Sequence, residues 1–302
     1  MKLVTFRLPG SSAATPRIGA LDGDDIVVDL HAVDASIPTD MIEFLAQGAA
    51  VREAAENAVA DSRSNESVRF ALLDVGLLAP VPKPNSVRDT ISFENHMKNF
   101  EKRTGRPIPD YWYEAPVYYK GNRRSVVGTG ADVYWPSYTE KFDYELEYGI
   151  VIGKQGRDIS VEEAADYIGG YTIFNDFSAR DIIAKEVSVF LGPAKAKDMD
   201  TGNALGPCLV TPDEIGSRDL KMIARINGEI WSQGQSSDMY WSFAQIISYI
   251  SRDETLYPGD FIGSGTVANG CGDELDRWIQ PGDIVELEVE GIGILSNRIV
   301  KR

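Results

Sequence analysis

The sequence predicts a β-rich α+β protein, with a small N-terminal α+β unit over residues 1–76 and a strand-dominated unit over residues 77–302. Three observations carry this. Short apolar runs alternate with Gly/Pro turns through the second part, the pattern of a β-barrel or sandwich core. The stretch Leu77-Leu78-Ala79-Pro80-Val81-Pro82-Lys83-Pro84-Asn85 is punctuated by three prolines, a stiff extended connector that marks the boundary. Residues 142–149 alternate apolar with acidic or small side chains before running into Ile150-Val151-Ile152, a strand entering a core buried on both faces.

Taken in order, residues 2–8 and 17–30 read as short strands, the latter broken by the Asp22-Gly23-Asp24-Asp25 turn. Residues 41–60 have helical spacing and many alanines. Beyond the connector, strand-like runs fall at 126–127, 144–152, 170–175, 208–211, 222–226, 260–263 and 284–289. Ser160 with Glu163 three residues on is a capping box opening a helix over 161–168. A second helix is expected over 238–251. Gly263-Ser264-Gly265 follows a strand, but no glycine lies three residues beyond Gly265 and no helical pattern follows, which excludes a Rossmann or P-loop reading.

The chain carries 30 basic and 46 acidic residues, a formal charge of −16. Such a surface repels phosphate backbones and anionic bilayers, so neither nucleic acid nor membrane is an expected partner. A local Lys/Arg cluster with a cation still allows an anionic substrate inside a cleft. No apolar run approaches membrane-spanning length, and the opening Met1-Lys2-Leu3-Val4-Thr5-Phe6-Arg7 lacks the apolar core of an export signal. Cys208 and Cys271 show neither Cys-x-x-Cys nor Cys/His spacing, so no disulfide scaffold or zinc motif is indicated, and the cytoplasm is the expected compartment.

Chemistry concentrates in the acidic strand. On an extended chain Phe142, Tyr144, Leu146 and Tyr148 share one face, and Asp143, Glu145 and Glu147 the other. Like charges this close call for a cation or perturbed protonation, which makes Glu145 and Glu147 a candidate metal pair. The plainer alternative is a solvated acidic face. Asp176 ends the strand-like Tyr171-Thr172-Ile173-Phe174 run. Three carboxylates with open positions suit a hard divalent ion, Mg²⁺, Mn²⁺ or Ca²⁺, while the alternative for Asp176 is an N-cap for a helix beginning near Phe177. His96, one of two histidines, is the candidate for proton transfer. His31 has no evident partner and reads as structural. Tyr111-Trp112-Tyr113 and Tyr118-Tyr119 read either as core aromatics or as the wall of a substrate pocket.

With these residues in place, the chain resembles the fumarylacetoacetate hydrolase superfamily over nearly its whole length. Glu145-Leu146-Glu147 is similar to its Glu-x-Glu metal pair, and Asn175-Asp176-Phe177-Ser178-Ala179-Arg180-Asp181 to its Asn-Asp-x-Ser-Ala-Arg-Asp signature. The resemblance implies a mixed β-barrel/β-roll catalytic domain with a metal triad of Glu145, Glu147 and Asp176. It adds Asp89 as a further ligand and Thr201 as a support for the ion, with Mg²⁺ favoured. His96 then activates water, Glu274 orients it, and Lys197 faces substrate and ion, with Lys195 as the rival position. Tyr119, the Gly265-Thr266 loop and a lid arginine, Arg106 or Arg103, are implied to meet substrate. Asp143 has no counterpart in the triad and is expected outside the ion's ligand set. Ile183 and Val187 stand near positions that are polar in the fumarylacetoacetases. The implied activity is hydrolysis of a C–C bond in a β-diketo acid of fumarylacetoacetate or acylpyruvate type, in breakdown of aromatic or sugar-derived compounds, by a homodimer. Decarboxylases, hydratases and isomerases of small 2-keto acids use the same kind of site. A non-catalytic metal- or ligand-binding protein is the alternative of another class; it has no need of His96 or Lys197.

Overall fold

A computed structural model describes residues 1–8, 15–216 and 219–301. It has the β-rich, mixed α+β character expected. A long sheet runs in the order Arg69–Ala71, Ile26–Asp29, Arg17–Asp22, Lys2–Arg7, Asn203–Val210, Ile168–Asp176, Leu146–Ile152, Asp260–Gly263, Ser86–Thr90, Tyr118–Gly121. Gly76–Leu77 and Val126–Val127 join it at Lys2–Arg7 and Asn203–Val210. A second sheet of five strands orders Glu229–Gln235, Lys221–Ile226, Ile284–Val289, Gly293–Val300 and Asp132–Tyr134. One core lies on the face of Leu146–Ile152 that carries Leu146, Tyr148, Ile150 and Ile152, together with Met222, Ala224, Val285 and Leu287 of the second sheet. The other gathers Val151, Phe174, Leu209 and Phe261 with Phe44, Val51 and Ala55 from two N-terminal helices. No described helix is long and apolar enough to cross a membrane.

Four expectations change. The helix over 41–60 is two, Met41–Ala46 and Ala49–Asp61, because Gly48 takes φ +70° between them. The capping contacts of Ser160 and Glu163 form at 2.9 and 3.3 Å. Only a 3₁₀ turn, Ala164–Tyr167, follows them, since Ile168 is drawn into the sheet opposite Ile152. The helix over 238–251 is Phe243–Ile250, opened by a capping box of Ser242 and Gln245, because Tyr240 donates its N–H to Ser92 O at 2.8 Å instead.

The fourth change concerns the acidic strand. Phe142–Asp143 pairs with Ser178–Ala179, and Leu146–Ile152 with Ile168–Asp176, in one register that holds as far as Val151 and opens between the two pairs of strands. Side chains and a loop take over the ladder there. Asn175 Oδ1 accepts the Glu145 N–H at 3.0 Å, Gly202 O accepts the Phe177 N–H at 3.0 Å, and Lys197 Nζ donates to Asp176 O at 3.2 Å. The sheet thus parts where Lys197 enters it, with its backbone groups still satisfied.

A buried carboxylate cluster beside a histidine–glutamate pair

Five adjacent strands bring their chemistry to one end of the long sheet. Asp176 closes its strand and Glu147 lies near the start of the next, with Phe174 as its cross-strand partner. Gly263 pairs with both Gly149 and Asp89, and Tyr119 sits opposite Asp89. Just past Gly263, Gly265 donates its N–H to Asp89 Oδ1 at 3.1 Å, and Thr266 Oγ1 donates to Glu147 Oε1 at 3.1 Å. Gly265 has φ +76°, and a Cβ there would come 2.6 Å from Thr90 O, so this turn admits only glycine.

Asp89, Glu147 and Asp176 each offer a carboxylate oxygen within 4.8 Å of the others, and all three are buried. Glu147 Oε2 and Asp176 Oδ1 are buried without a hydrogen-bond partner among the described residues. Burial, then the charges of Asp89, Glu145 and Asp176, push Glu147 well above its usual range. Burial and the neighbouring Asp176 push Asp89 up to about 8. Burial raises Asp176 to about 6, against the pull of Lys197. Carboxyl groups crowded out of water, their charges mutually disfavoured and two of their oxygens orphaned, become a ligand set for a hard divalent cation once they give up their protons.

Glu145 is held differently. Its Oε2 lies 2.6 Å from Lys197 Nζ and its Oε1 2.8 Å from the Arg180 guanidinium. Burial alone would raise it, but these two cations hold it down at about 2. Lys197 also donates to Asp176 Oδ2 at 2.5 Å, and Tyr119 OH donates to the same oxygen at 2.5 Å. Lys197 is therefore the lysine in the site. Its rival Lys195 is exposed, with Nζ 4.9 Å above the Tyr138 ring. Asp176 is a strand residue and caps no helix, since the next helix, Arg180–Ser188, begins after Ala179 with no side-chain cap.

The second group comes from a helix and from the turn after Cys271, which bridges Glu145 across the strand. His96 Nδ1 lies 2.9 Å from Glu274 Oε2, and Asn99, one turn on in the helix Glu94–Thr104, donates to Glu274 Oε1 at 2.8 Å. Burial works against the Glu274 charge, but His96 and Asn99 outweigh it and keep the carboxyl below its usual range. An ionised Glu274 makes Nδ1 the donor, so the neutral ring presents Nε2 as its bare nitrogen, the tautomer a general base needs.

Other expected residues fall elsewhere. The Thr201 hydroxyl is engaged by the Tyr134 N–H at 2.9 Å. Arg103 pairs with Asp273 at 2.6 Å, whereas the exposed Arg106 guanidinium has no ion pair with any described residue. Buried Trp112 packs against the exposed Tyr113 and Tyr240 at 4.9 and 5.0 Å between centroids and donates to Ile91 O, so Trp112 is a core aromatic while Tyr111 and Tyr113 lie on the surface. His31 Nδ1 lies 2.6 Å from Ile37 O, a structural contact. Asp143 stands outside the cluster, taking the Gly272 and Asp273 N–H groups at 2.8 and 3.0 Å and Arg180 Nε at 2.8 Å.

Three contributors were not singled out from sequence. Arg180 bridges Asp143 to Glu145, and Asn175 replaces a ladder bond; both sit in the signature string already noted. Asn99 is betrayed only by its i+3 spacing from His96.

Comparison with known proteins bears on this arrangement. The family profile described as fumarylacetoacetate (FAA) hydrolase C-terminal matches residues 85–300. The chain is 33% identical over 295 residues to oxaloacetate tautomerase YisK of Bacillus subtilis, covering 93% of this chain and 95% of that protein. It is 31% identical over 309 residues to the human mitochondrial oxaloacetate tautomerase FAHD2A, covering 99% and 92%. Among solved structures, fumarylacetoacetate hydrolase from Exiguobacterium antarcticum superposes with a TM-score of 0.79 at 27% identity over the full length of both chains.

Proposed function

The chain belongs to the fumarylacetoacetate hydrolase family, and from that premise we propose that it is a divalent-metal-dependent enzyme moving a proton beside the keto group of a small 2-keto dicarboxylate, a keto–enol tautomerase of oxaloacetate type. The observation that carries the reading is the 2.9 Å contact of His96 with an ionised Glu274. Relatives named as oxaloacetate tautomerases, similar over nearly the whole chain, support the substrate class.

Asp89, Glu147 and Asp176 would hold the ion, Mg²⁺ by the hardness of the donors with Mn²⁺ or Ca²⁺ as substitutes, and Glu145 flanks them. An ion held there would supply Lewis-acid polarisation of a substrate keto oxygen. His96 Nε2 takes the proton from carbon, and Glu274 steadies the imidazolium through Nδ1–H. The Lys197 ammonium faces the developing enolate oxygen. Tyr119 and Thr266 fix Asp89's neighbours Asp176 and Glu147 and line the substrate space, and Arg106, free of internal partners, pairs with the far carboxylate.

A second reading, hydrolysis of a C–C bond in a β-diketo acid, is favoured by the same pair, because a bare Nε2 activates water as readily as it takes a proton from carbon. The deciding assay follows oxaloacetate ketonisation by loss of enol absorbance, beside acylpyruvate cleavage, with Mg²⁺ and with chelator. Metal-dependent ketonisation with no cleavage is expected. Cleavage into two fragments with water uptake would establish the hydrolase instead, and neither activity would leave a binding protein.

The protein is also inferred to act in the cytoplasm as a homodimer. An apolar groove between Leu77, Val127 and Ile292, bordered by exposed Leu73 and Ile294, suits a second copy of the chain. Light scattering of the wild type and Leu73→Glu tests this, with a dimer that falls to a monomer as the expected result.

A further inference from the structure

Cys271 stands three residues before Glu274, and its Sγ lies 3.4 Å from Glu274 Oε2. Donor atoms of His96, Cys271 and Glu274 all lie within 4.8 Å of one another, with His96 Nδ1 and Glu274 Oε2 2.9 Å apart. A tetrahedral zinc ion with bonds of about 2.0–2.3 Å separates its nitrogen, oxygen and sulfur ligands by roughly 3.3–3.6 Å. The His96–Glu274 and Cys271–Glu274 separations, 2.9 and 3.4 Å, lie close to that spacing and the His96–Cys271 one lies within 4.8 Å, so side-chain rotations would seat an ion. The set is chemically unlike the neighbouring carboxylate cluster. It pairs a thiol and an imidazole with one carboxylate, the combination that selects borderline and soft metals over Mg²⁺.

We propose that His96, Cys271 and Glu274 form a second metal site, for zinc or another thiophilic divalent ion, that switches the enzyme off by removing His96 from proton transfer. The surroundings are those of a built site. Asn99 donates to the other Glu274 oxygen, Asp143 anchors the turn through Gly272 and Asp273, and Arg103 ties Asp273 to the His96 helix. The His96 side chain keeps 15% of its surface open, which gives the ion a way in, while Cys271 is buried at 1%.

The proton balance explains the inhibition. Without the ion, Cys271 is a thiol, kept protonated by burial, and His96 carries its proton on Nδ1. Zinc on Nδ1 requires that nitrogen bare, so the imidazole proton moves to Nε2. Cys271 S–H gives its proton to solvent as the Zn–S bond forms, a net release of one proton per ion. With Nε2 protonated and Nδ1 ligated, no base remains. Binding itself is independent of the tautomerase reading; the loss of turnover rests on it.

The test uses Co²⁺ as a spectroscopic stand-in, added to whole protein loaded with excess Mg²⁺. One equivalent of Co²⁺ should give a near-ultraviolet thiolate charge-transfer band in the wild type and in Glu147→Gln. The band should be absent from Cys271→Ser and from His96→Ala, and Zn²⁺ should displace it. Zn²⁺ at the same stoichiometry should cut wild-type turnover by about 10²-fold, reversibly by chelator. No band, a band that survives Cys271→Ser, or one lost in Glu147→Gln overturns the site and leaves the role of His96 standing. A band with undiminished turnover overturns the switch and counts against His96 as the base.

Discussion

Arg180 meets Asp143 at 2.8 Å with the aspartate fully buried, and the same guanidinium reaches Glu145. One arginine therefore spans from the carboxylate cluster to the turn that carries Glu274. Asp143→Ala leaves Arg180 with Glu145 as its one carboxylate partner among the described residues and frees the Gly272 and Asp273 N–H groups. Breaking such a pair should cost about 3–5 kcal/mol in urea unfolding, and Asp143→Asn, which retains an acceptor, should cost less. Equal stability of wild type and alanine variant would refute the bridging role.

Lys197 satisfies Glu145 and Asp176 as a cation would. Lys197→Met removes a charge that competes with a metal ion, yet also removes an electrostatic partner of the enolate. Calorimetry should show tighter Mg²⁺ binding while kcat drops by roughly 10²–10³-fold. Weaker Mg²⁺ binding would contradict this account.

Protonation should couple folding to pH with opposite signs in two ranges. Asp89 at about 8 and Asp176 at about 6 hold protons that an unfolded chain has lost above about pH 4. Stability from these groups is full below that point and is lost as pH rises toward 8. Glu145, at about 2, adds stability present above its ordinary value and lost only as pH falls toward 2. In chelator, Tm should fall from pH 5 to 8. Apparent Mg²⁺ affinity should rise over the same interval with proton release, measurable by calorimetry in buffers of different ionisation enthalpy.

The two arginines flanking Gly105 should separate kinetically. Arg103→Ala loosens Asp273 beside Glu274 and should lower kcat through a displaced His96. Arg106→Ala touches no internal partner and should raise KM for a dicarboxylate with kcat preserved. The reverse pattern would exchange their roles.

How far residue pattern alone reaches is visible in the acidic strand. Period-two alternation correctly put Glu147 on the face opposite Tyr148 and the aliphatic core, because the pleat enforces it. It did not foresee the opening at Glu145, which depends on Lys197 arriving from a loop fifty-two residues away. Asp89 and Glu147 meet through sheet neighbours separated in the chain, and no local signal encodes that pairing. The His96–Glu274 contact spans 178 residues and was legible only through family resemblance. Helix ends failed where tertiary hydrogen bonds, such as that of Tyr240 to Ser92, outcompeted capping.

Lys2–Arg7 lies between Arg17–Asp22 and Asn203–Val210, with Lys2 opposite Val210 and Leu3 opposite Leu209. Once made, this strand thus waits for a partner some two hundred residues further along the chain. At typical elongation rates that delay is about 10–40 s. During it Gly76–Leu77 covers only the Phe6–Arg7 end of that rim, so the Lys2–Leu3 end has no complement until translation reaches Val210. Pairing of such high contact order also makes refolding of the isolated chain slow, and its yield should fall with rising protein concentration.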